Sequence, residues 1–429
     1  MLYDNKIWVG GTAPKCLLNP SMANRHGLIA GASGTGKSVT VKVLAEGFSG
    51  MGIPVFLPDI KGDMSGICAA GVSNDHMEDR IAKFEIDNFE YKAYPTTFYD
   101  CFGFSGIPMR TTISEMGPSL LGYMLGLSEK QCKTLSIVFS IADFQGLLLL
   151  DLKDLRMILI YIGDHIDLYR SYGISYDDIS PLLGSVILLQ DKGAGALFGE
   201  PAFDISDFFK VDSNGNGIIN ILSAQDLFND SILYSSFLLL LLDELCYTLP
   251  NVDSIDKPKI VFFFDEAQIL FRGTTAFSIE KLNTLLRMLQ WKGVGVFFVT
   301  SEPTTIPIDF LSQLQNRIQH AQYAFSASER SKLKNLMNVF PSNSSFDRRT
   351  VLDELADGEA VMSFVEKNGV QGVAERSFIV PPQSFIGAAG YEKILEMTDS
   401  NPLVEKYGFP VDPESAFEIL LQKYGANGG

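Results

Sequence analysis

The chain has 429 residues, 46% hydrophobic and 20% charged, so it can bury a sizeable core, and extended disorder is excluded. Acidic residues outnumber basic ones by 51 to 34, a formal charge of −17, which argues against a surface coated for nucleic acid and leaves such contacts to a local basic patch. Cys16, Cys68, Cys101, Cys132 and Cys246 are scattered without a C-x-x-C pair, which fits reduced thiols in a cytoplasmic protein and excludes a cysteine-based metal cluster.

Met1–Gly10 is polar and mixed, unlike a secretion signal. Residues Gly27–Ala32 (GLIAGA) predict a short strand running into a turn, and Lys37–Gly47 a buried helix. Pro54–Ile60 (PVFLPDI) predicts the next strand. Strand, helix, strand is a βαβ unit, so the expected class is α/β with a mainly parallel sheet. Thr97–Phe102 predicts a further strand. Leu127–Leu150, Leu152–Ile162 and Tyr176–Gln190 then carry apolar residues three and four apart and predict helices. The α/β pattern resumes with a strand at GIINIL from Gly217, a helix over Ser231–Leu249 and a strand over Ile260–Phe264. The apolar run Phe237–Leu245 is too short for a bilayer span and reads as a buried helix, so no membrane association is expected. Ile279–Trp291 predicts a helix; Gly293–Glu302, Ile318–Phe325 and Glu359–Phe364 predict strands; Pro413–Tyr424 predicts a last helix. The expected layout is a core in two parts, 1–111 and 206–390, interrupted by a largely helical insertion at 112–205 and followed by a tail at 391–429.

The strongest chemical motif is GASGTGKS, Gly31–Ser38, between the first predicted strand and helix. Gly31, Gly34 and Gly36 permit a tight loop whose N–H groups turn inward onto phosphate oxygens. Lys37 would reach the β- and γ-phosphates, and the Ser38 hydroxyl would face Mg²⁺. The expected nucleotide contacts are Gly31, Ser33, Gly34, Thr35, Gly36, Lys37, Ser38 and Val39, with ATP and Mg²⁺ as cofactors.

A second feature is KIVFFFDEAQIL, Lys259–Leu270, where an unbroken apolar strand ends in two carboxylates. In a parallel sheet all strand C-termini share one edge, so Asp265 would face the phosphate loop. Asp265 is expected on the Mg²⁺ shell and Glu266 on the attacking water. An acidic cap on a following helix is the plainer alternative. The next strand ends in Thr300, Ser301 and Glu302; Ser301 or Thr300 is expected to sense the γ-phosphate. DIKGDMSG, Asp59–Gly66, ends another strand on that edge, with Asp59 and Asp63 either supporting the Mg²⁺ shell or forming a surface turn.

GASGTGKS, DIKGD, FFFDEA and SEPTTIP, in this order, resemble the HerA-like ATPases, relatives of the FtsK DNA pumps. DFQGLLLLDLKDLR (Asp143–Arg156) and NRIQHA (Asn316–Ala321) strengthen the resemblance, which spans nearly the whole chain. It implies a RecA-like P-loop NTPase core with a helical insertion, ATP hydrolysis and a hexameric ring. It also implies double-stranded DNA as substrate, a nuclease or other protein as partner, and an arginine completing a neighbour's site. Arg317 is the first choice for that arginine, ahead of Arg330 and Arg272. Two positions depart from the family pattern: Ser301, where glutamine is common, and Gln268, where histidine is common. Lys332, Lys334, Arg348 and Arg349 would be the residues to line a DNA pore. A regulatory NTPase switch acting on proteins is the alternative that the negative charge favours.

Overall fold

Mainly apolar runs form the central strands Gly27–Ala30, Ile260–Phe264 and Val294–Thr300, as a sheet covered on both faces requires. The structure, a computed structural model, describes residues 1–271, 279–324, 326–348 and 350–427. In chain order the strands are β1 (Leu2–Tyr3), β2 (Lys6–Gly10), β3 (Cys16–Leu18), β4 (Gly27–Ala30), β5 (Val55–Asp59), β6 (Thr96–Asp100), β7 (Ile107–Pro108), β8 (Ile219–Ser223), β9 (Ile260–Phe264), β10 (Val294–Thr300), β11 (Asn316–His320), β12 (Glu359–Ser363) and β13 (Glu375–Phe378). The residues fall into two units, the first made of Met1–Phe98, Ile205–Gln225 and Leu242–Met397, the second of Tyr99–Asp204, Asp226–Leu241 and Thr398–Gly429.

In the first unit the main sheet runs β13-β12-β11-β4-β10-β9-β5-β8. Neighbours from β11 through β8 pair in parallel, and β11-β12-β13 pair antiparallel. This is the mainly parallel α/β architecture the sequence predicts. Alternation along the strands divides the aromatic rings between two faces. Phe262 stacks on Phe56 at 4.8 Å and Phe264 on Phe298 at 5.7 Å, whereas Phe263 meets Phe297 at 5.6 Å. Each such buried ring contributes about 2–3 kcal/mol of transfer free energy. Helix α1 (Lys37–Gly50) covers the Phe297 face through Phe48 at 5.9 Å. Its Gly47 lets β2 approach: a Cβ there would lie 2.5 Å from Ile7 Cγ2. The antiparallel β1-β2-β3 sheet, β7 and β13 are strands that the apolar-run reading omits; β1 and β7 have two residues each and β13 is half-buried.

The second unit is helical. α2 (Asp75–Lys83) belongs to the first unit; here stand α3 (Ile113–Met124), α4 (Glu129–Gln145), α5 (Leu152–Asp164), Tyr176–Asp191 and the C-terminal Ala416–Asn427. Thr112, Ser128, Asp151 and Ser175 each close a capping box, which satisfies the orphan N–H groups of these helix starts. Asp154, fully buried in α5, accepts from the Leu150, Asp151 and Phe417 N–H groups at 2.9, 3.2 and 2.8 Å and from the Ser415 hydroxyl. One carboxylate therefore fixes both the start of α5 and the returning tail, which from Thr398 onward clusters with the helices expected as an insertion. Helix Ser231–Thr248 has the length and composition to cross a bilayer, yet 67% of its apolar window is buried within the protein.

Two expectations follow. Asp154→Ala leaves three backbone N–H groups of a buried site without an acceptor and should lower unfolding free energy by about 2–4 kcal/mol, read as a lower denaturant midpoint, with Asp154→Asn recovering part of it. His26 is buried with both ring nitrogens engaged: Nε2 meets Leu286 O at 2.8 Å and the Val296 N–H donates to Nδ1 at 3.2 Å. Only the neutral ring satisfies both, and desolvation, helped by the Arg25 charge, depresses its pKa to about 4. The stability from this site is whole above the unfolded value near 6.5 and is lost as pH falls toward about 4. The denaturant midpoint of the parent should therefore fall more steeply between pH 7 and pH 5 than that of His26→Gln, in which the acid response of the carboxylates is unchanged.

Candidate functional site

The parallel register sets the site. Thr300 pairs with Ala30 and Phe298 with Phe264, so β4, β9 and β10 end at one edge. The phosphate loop leaves β4 there, with the Gly31 N–H donating to Thr300 O at 3.2 Å. Gly31 has φ 156° and Gly36 φ 112°, and a Cβ on Gly31 would sit 2.5 Å from the His320 Cβ. A side chain at either position would push the loop off the sheet. Gly36 caps α1, so the open N-terminus of that helix faces the loop's interior.

Gly34, Gly36, Lys37, Ser38 and Val39 line a cleft of about 200 Å³ together with Asp59, Lys61, Asp63, Asp265 and Glu266. Lys37, Ser38, Asp265 and Glu266 are thus brought together although the chain separates them widely. Gly31, Ser33 and Thr35 shape the loop without lining the cleft; Thr35 donates to Ala32 O at 2.8 Å. Lys37 folds back over the loop, its Nζ on Gly31 O at 2.8 Å and Ala32 O at 3.0 Å. Burial lowers its pKa, and the Lys61 charge lowers it further, against the pull of Asp265 and Glu266. Desolvation, followed by the Glu266 charge, pushes Asp265 up to about 7. The cleft holds two cations and several carboxylates in little water, a state that phosphate and a divalent cation would relieve together. Hard oxygen donors at Ser38 and Asp265 suit Mg²⁺, which takes one or two protein ligands and fills its shell with phosphate and water.

Glu266 has φ 50°, a left-handed conformation uncommon outside glycine. Its Oε2 accepts from Gln268 Nε2 and, at 3.3 Å, from Ser301 Oγ. Both bonds fall on one oxygen, and Oε1 is left for a water in the cleft. Ser301 therefore touches the Glu266 carboxylate and does not line the cleft. The turn after β9 is the 3₁₀ segment Ala267–Phe271, not the start of an α-helix.

Asp59 accepts from the Gly62, Met64 and Ser65 N–H groups at 2.7, 3.0 and 3.0 Å. It organises the loop after β5 and also lines the cleft; the same loop delivers Lys61. Arg317 is placed away from the chemistry. Its register partner on β4 is Leu28, so it stands toward the opposite edge of the sheet from Gly31. It is buried, with Nη1 on Val339 O at 2.7 Å and Nη2 on Leu311 O at 3.3 Å, which does not suit an arginine reaching a neighbouring subunit. Arg330 is exposed on helix Ala327–Met337; Arg272 and Arg349 lie outside the described residues.

Sequence reading assigns no role to Lys61, Gln268 or His320. His320 ends β11 beside the loop, its Nε2 2.8 Å from Thr40 Oγ1 and its Nδ1 3.0 Å from Glu359 O, so it supports the phosphate-loop helix. Only the register of β11 against β4 reveals this. The polar residue two places after DE was the available signal for Gln268.

Residues 6–428 match the protein family described as Helicase HerA-like C-terminal. No curated protein matches the chain. Among solved structures, the plasmid coupling protein TrwB with the non-hydrolysable ATP analogue ADPNP is similar at 13% identity, covering 91% of this chain and 92% of that one with a TM-score of 0.58. TrwB with ADP and Mg²⁺ is similar at 14% identity, 84% and 85% coverage and a TM-score of 0.53. VirB4 of Thermoanaerobacter pseudethanolicus is similar at 15% identity, 92% and 99% coverage and a TM-score of 0.53. At these identities the likeness establishes the fold, a RecA-like P-loop NTPase core with helical insertions.

If the cleft is the hydrolytic site, Lys37→Ala should cut ATP turnover at least about 100-fold and weaken nucleotide binding. Glu266→Gln should bind ATP with parental affinity while turnover falls at least about 100-fold, measured as phosphate release beside binding of a fluorescent nucleotide.

Proposed function

The chain belongs to the HerA-like helicase family and is an ATP-hydrolysing enzyme, and from that membership we propose that it is a Mg²⁺-dependent ring motor that moves double-stranded DNA in the cytoplasm. The observation that carries the ATPase chemistry is the convergence of Lys37, Ser38, Asp265 and Glu266 on one cleft at the C-terminal edge of a parallel sheet.

Lys37 leaves the carbonyls of Gly31 and Ala32 for the β- and γ-phosphates, which are stronger acceptors. The loop N–H groups and the N-terminus of α1 hold the remaining phosphate charge. Bound Mg²⁺, on Ser38 and Asp265, supplies neutralisation of the charge shared by the β- and γ-oxygens. Glu266 takes a proton from water as its oxygen attacks the γ-phosphorus, and the bond to the β-phosphate oxygen breaks to give ADP and phosphate. Thr300, buried at the end of β10, and Ser301 beside it bond to Gln268 and Glu266, so their response to the γ-phosphate runs through those side chains.

The structure of TrwB, a plasmid coupling protein, with an ATP analogue supports ATP as the nucleotide. The structure of TrwB with ADP and Mg²⁺ supports the metal. DNA contact is supported by helix Ala327–Met337, which buries Leu333, Leu336 and Met337 and exposes Arg330, Lys332 and Lys334. In a ring, Arg330 is the described candidate for the arginine that completes a neighbour's site. The charge of −17 favours the second reading, a nucleotide switch acting on a nuclease or other protein partner. Five free cysteines suit a reducing compartment.

The deciding measurement is particle mass and ATPase rate with Mg·ATP, with and without duplex DNA at low salt. The motor reading expects a hexamer whose hydrolysis duplex DNA stimulates several-fold, with the stimulation lost on added salt and in Lys332→Glu/Lys334→Glu. An assembled particle with equal rates in both conditions supports the protein switch instead.

A further inference from the structure

Gln268 is buried, 5% exposed, beside a charged cleft, and its amide is engaged on both ends. Its Oε1 accepts from Thr300 Oγ1 at 2.7 Å. Its Nε2 donates to Glu266 Oε2 and, at 3.2 Å, to Ser301 Oγ. The orientation of the amide follows from its neighbours. The Glu266 carboxylate accepts, so the amide nitrogen faces it and the amide oxygen is left to receive the Thr300 hydroxyl. That places oxygen toward Thr300 and nitrogen toward the carboxylate, the arrangement in which every donor meets an acceptor.

We infer that Gln268 is the positioning residue for Glu266, holding that carboxylate by one oxygen and coupling it through Thr300 to the phosphate loop. The inference rests on Glu266 being the group that activates water. Three features argue for it. Glu266 sits in a left-handed backbone conformation, which persists only where the surroundings over-determine it. Its alternative partners are close at hand: Lys37 and Lys61 line the same cleft, and an unrestrained glutamate would collapse onto a cation. Gln268 and Ser301 hold Oε2 back from that collapse and leave Oε1 to water. Last, Thr300 O receives the Gly31 N–H at 3.2 Å. The bonds run without interruption from Gly31 through Thr300 and Gln268 to Glu266. A shift of the loop on phosphate binding therefore reaches the glutamate directly.

The test compares Gln268→Met, close in shape but unable to hydrogen-bond through an amide, with Thr300→Val and the double variant, by steady-state ATP hydrolysis and by binding of a non-hydrolysable analogue. Gln268→Met should lose about 100-fold in kcat with KM and analogue affinity nearly unchanged. Thr300→Val should lose less, and nothing further in the Gln268→Met background, since Thr300 acts through Gln268. A parental kcat in Gln268→Met, additive losses, or a loss carried by KM would overturn the inference. Ser301→Ala, at a partly exposed position, keeps it falsifiable if Gln268→Met does not fold: unchanged kcat in both Ser301→Ala and Thr300→Val overturns it. Glu266→Gln, run in parallel, separates the two readings. Parental turnover there sinks the base assignment, whereas lost turnover there beside a parental Gln268→Met sinks only the positioning role.

Discussion

The in-register parallel pairing of β4, β10 and β9 is the constraint on which the site depends. Thr300 opposite Ala30, and Phe298 opposite Phe264, end three strands at the same height. The phosphate loop, the two carboxylates and the Thr300–Ser301 pair are then neighbours, although each is carried by a different crossover. A slip of one residue would move Phe263 and Phe297 to the opposite face of the sheet and withdraw Glu266 from Ser301. The register is held by aromatic rings on both faces, so the packing that stabilises the sheet also sets the distances of the chemistry.

Charge in the cleft is arranged for a ligand rather than for rest. Lys37 spends its hydrogen bonds on the carbonyls of its own loop, and Asp265 is pushed up to about 7 by burial and by Glu266. Mg·ATP would bring phosphate oxygens to Lys37 and a divalent cation to Asp265, which already stands among the charges of Lys37, Lys61 and Glu266. Asp59, by contrast, is already satisfied by three backbone N–H groups, and it acts by shaping the loop that brings Lys61 to the same cleft.

The overall acidity and the basic helix Ala327–Met337 are separate facts. A charge of −17 limits non-specific attraction to nucleic acid at long range, where salt screens it, while Arg330, Lys332 and Lys334 are exposed on one short helix. The proposed substrate thus turns on local placement rather than on total charge, which is why family membership settles the ATPase and leaves the cargo to experiment.

GASGTGKS and the DE pair were legible because each is contiguous and its residues act through local backbone geometry: glycines for a tight loop, a lysine at a helix start, carboxylates at a strand end. The parallel α/β class was legible for a similar reason, since unbroken apolar strands alternating with helices have few other ways to bury themselves. What the tertiary structure alone decided depends on which strands lie side by side. Arg317 and His320 stand three residues apart on β11, yet the first is anchored near the far edge of the sheet and the second supports the phosphate loop, because β11 pairs with β4. The grip of Gln268 on Glu266 needs the end of β10 beside the turn after β9, and the tail reaches Asp154 from the other end of the chain. Sequence by itself determined the chemical groups; long-range register, a sum over many packed side chains, decided which of them meet.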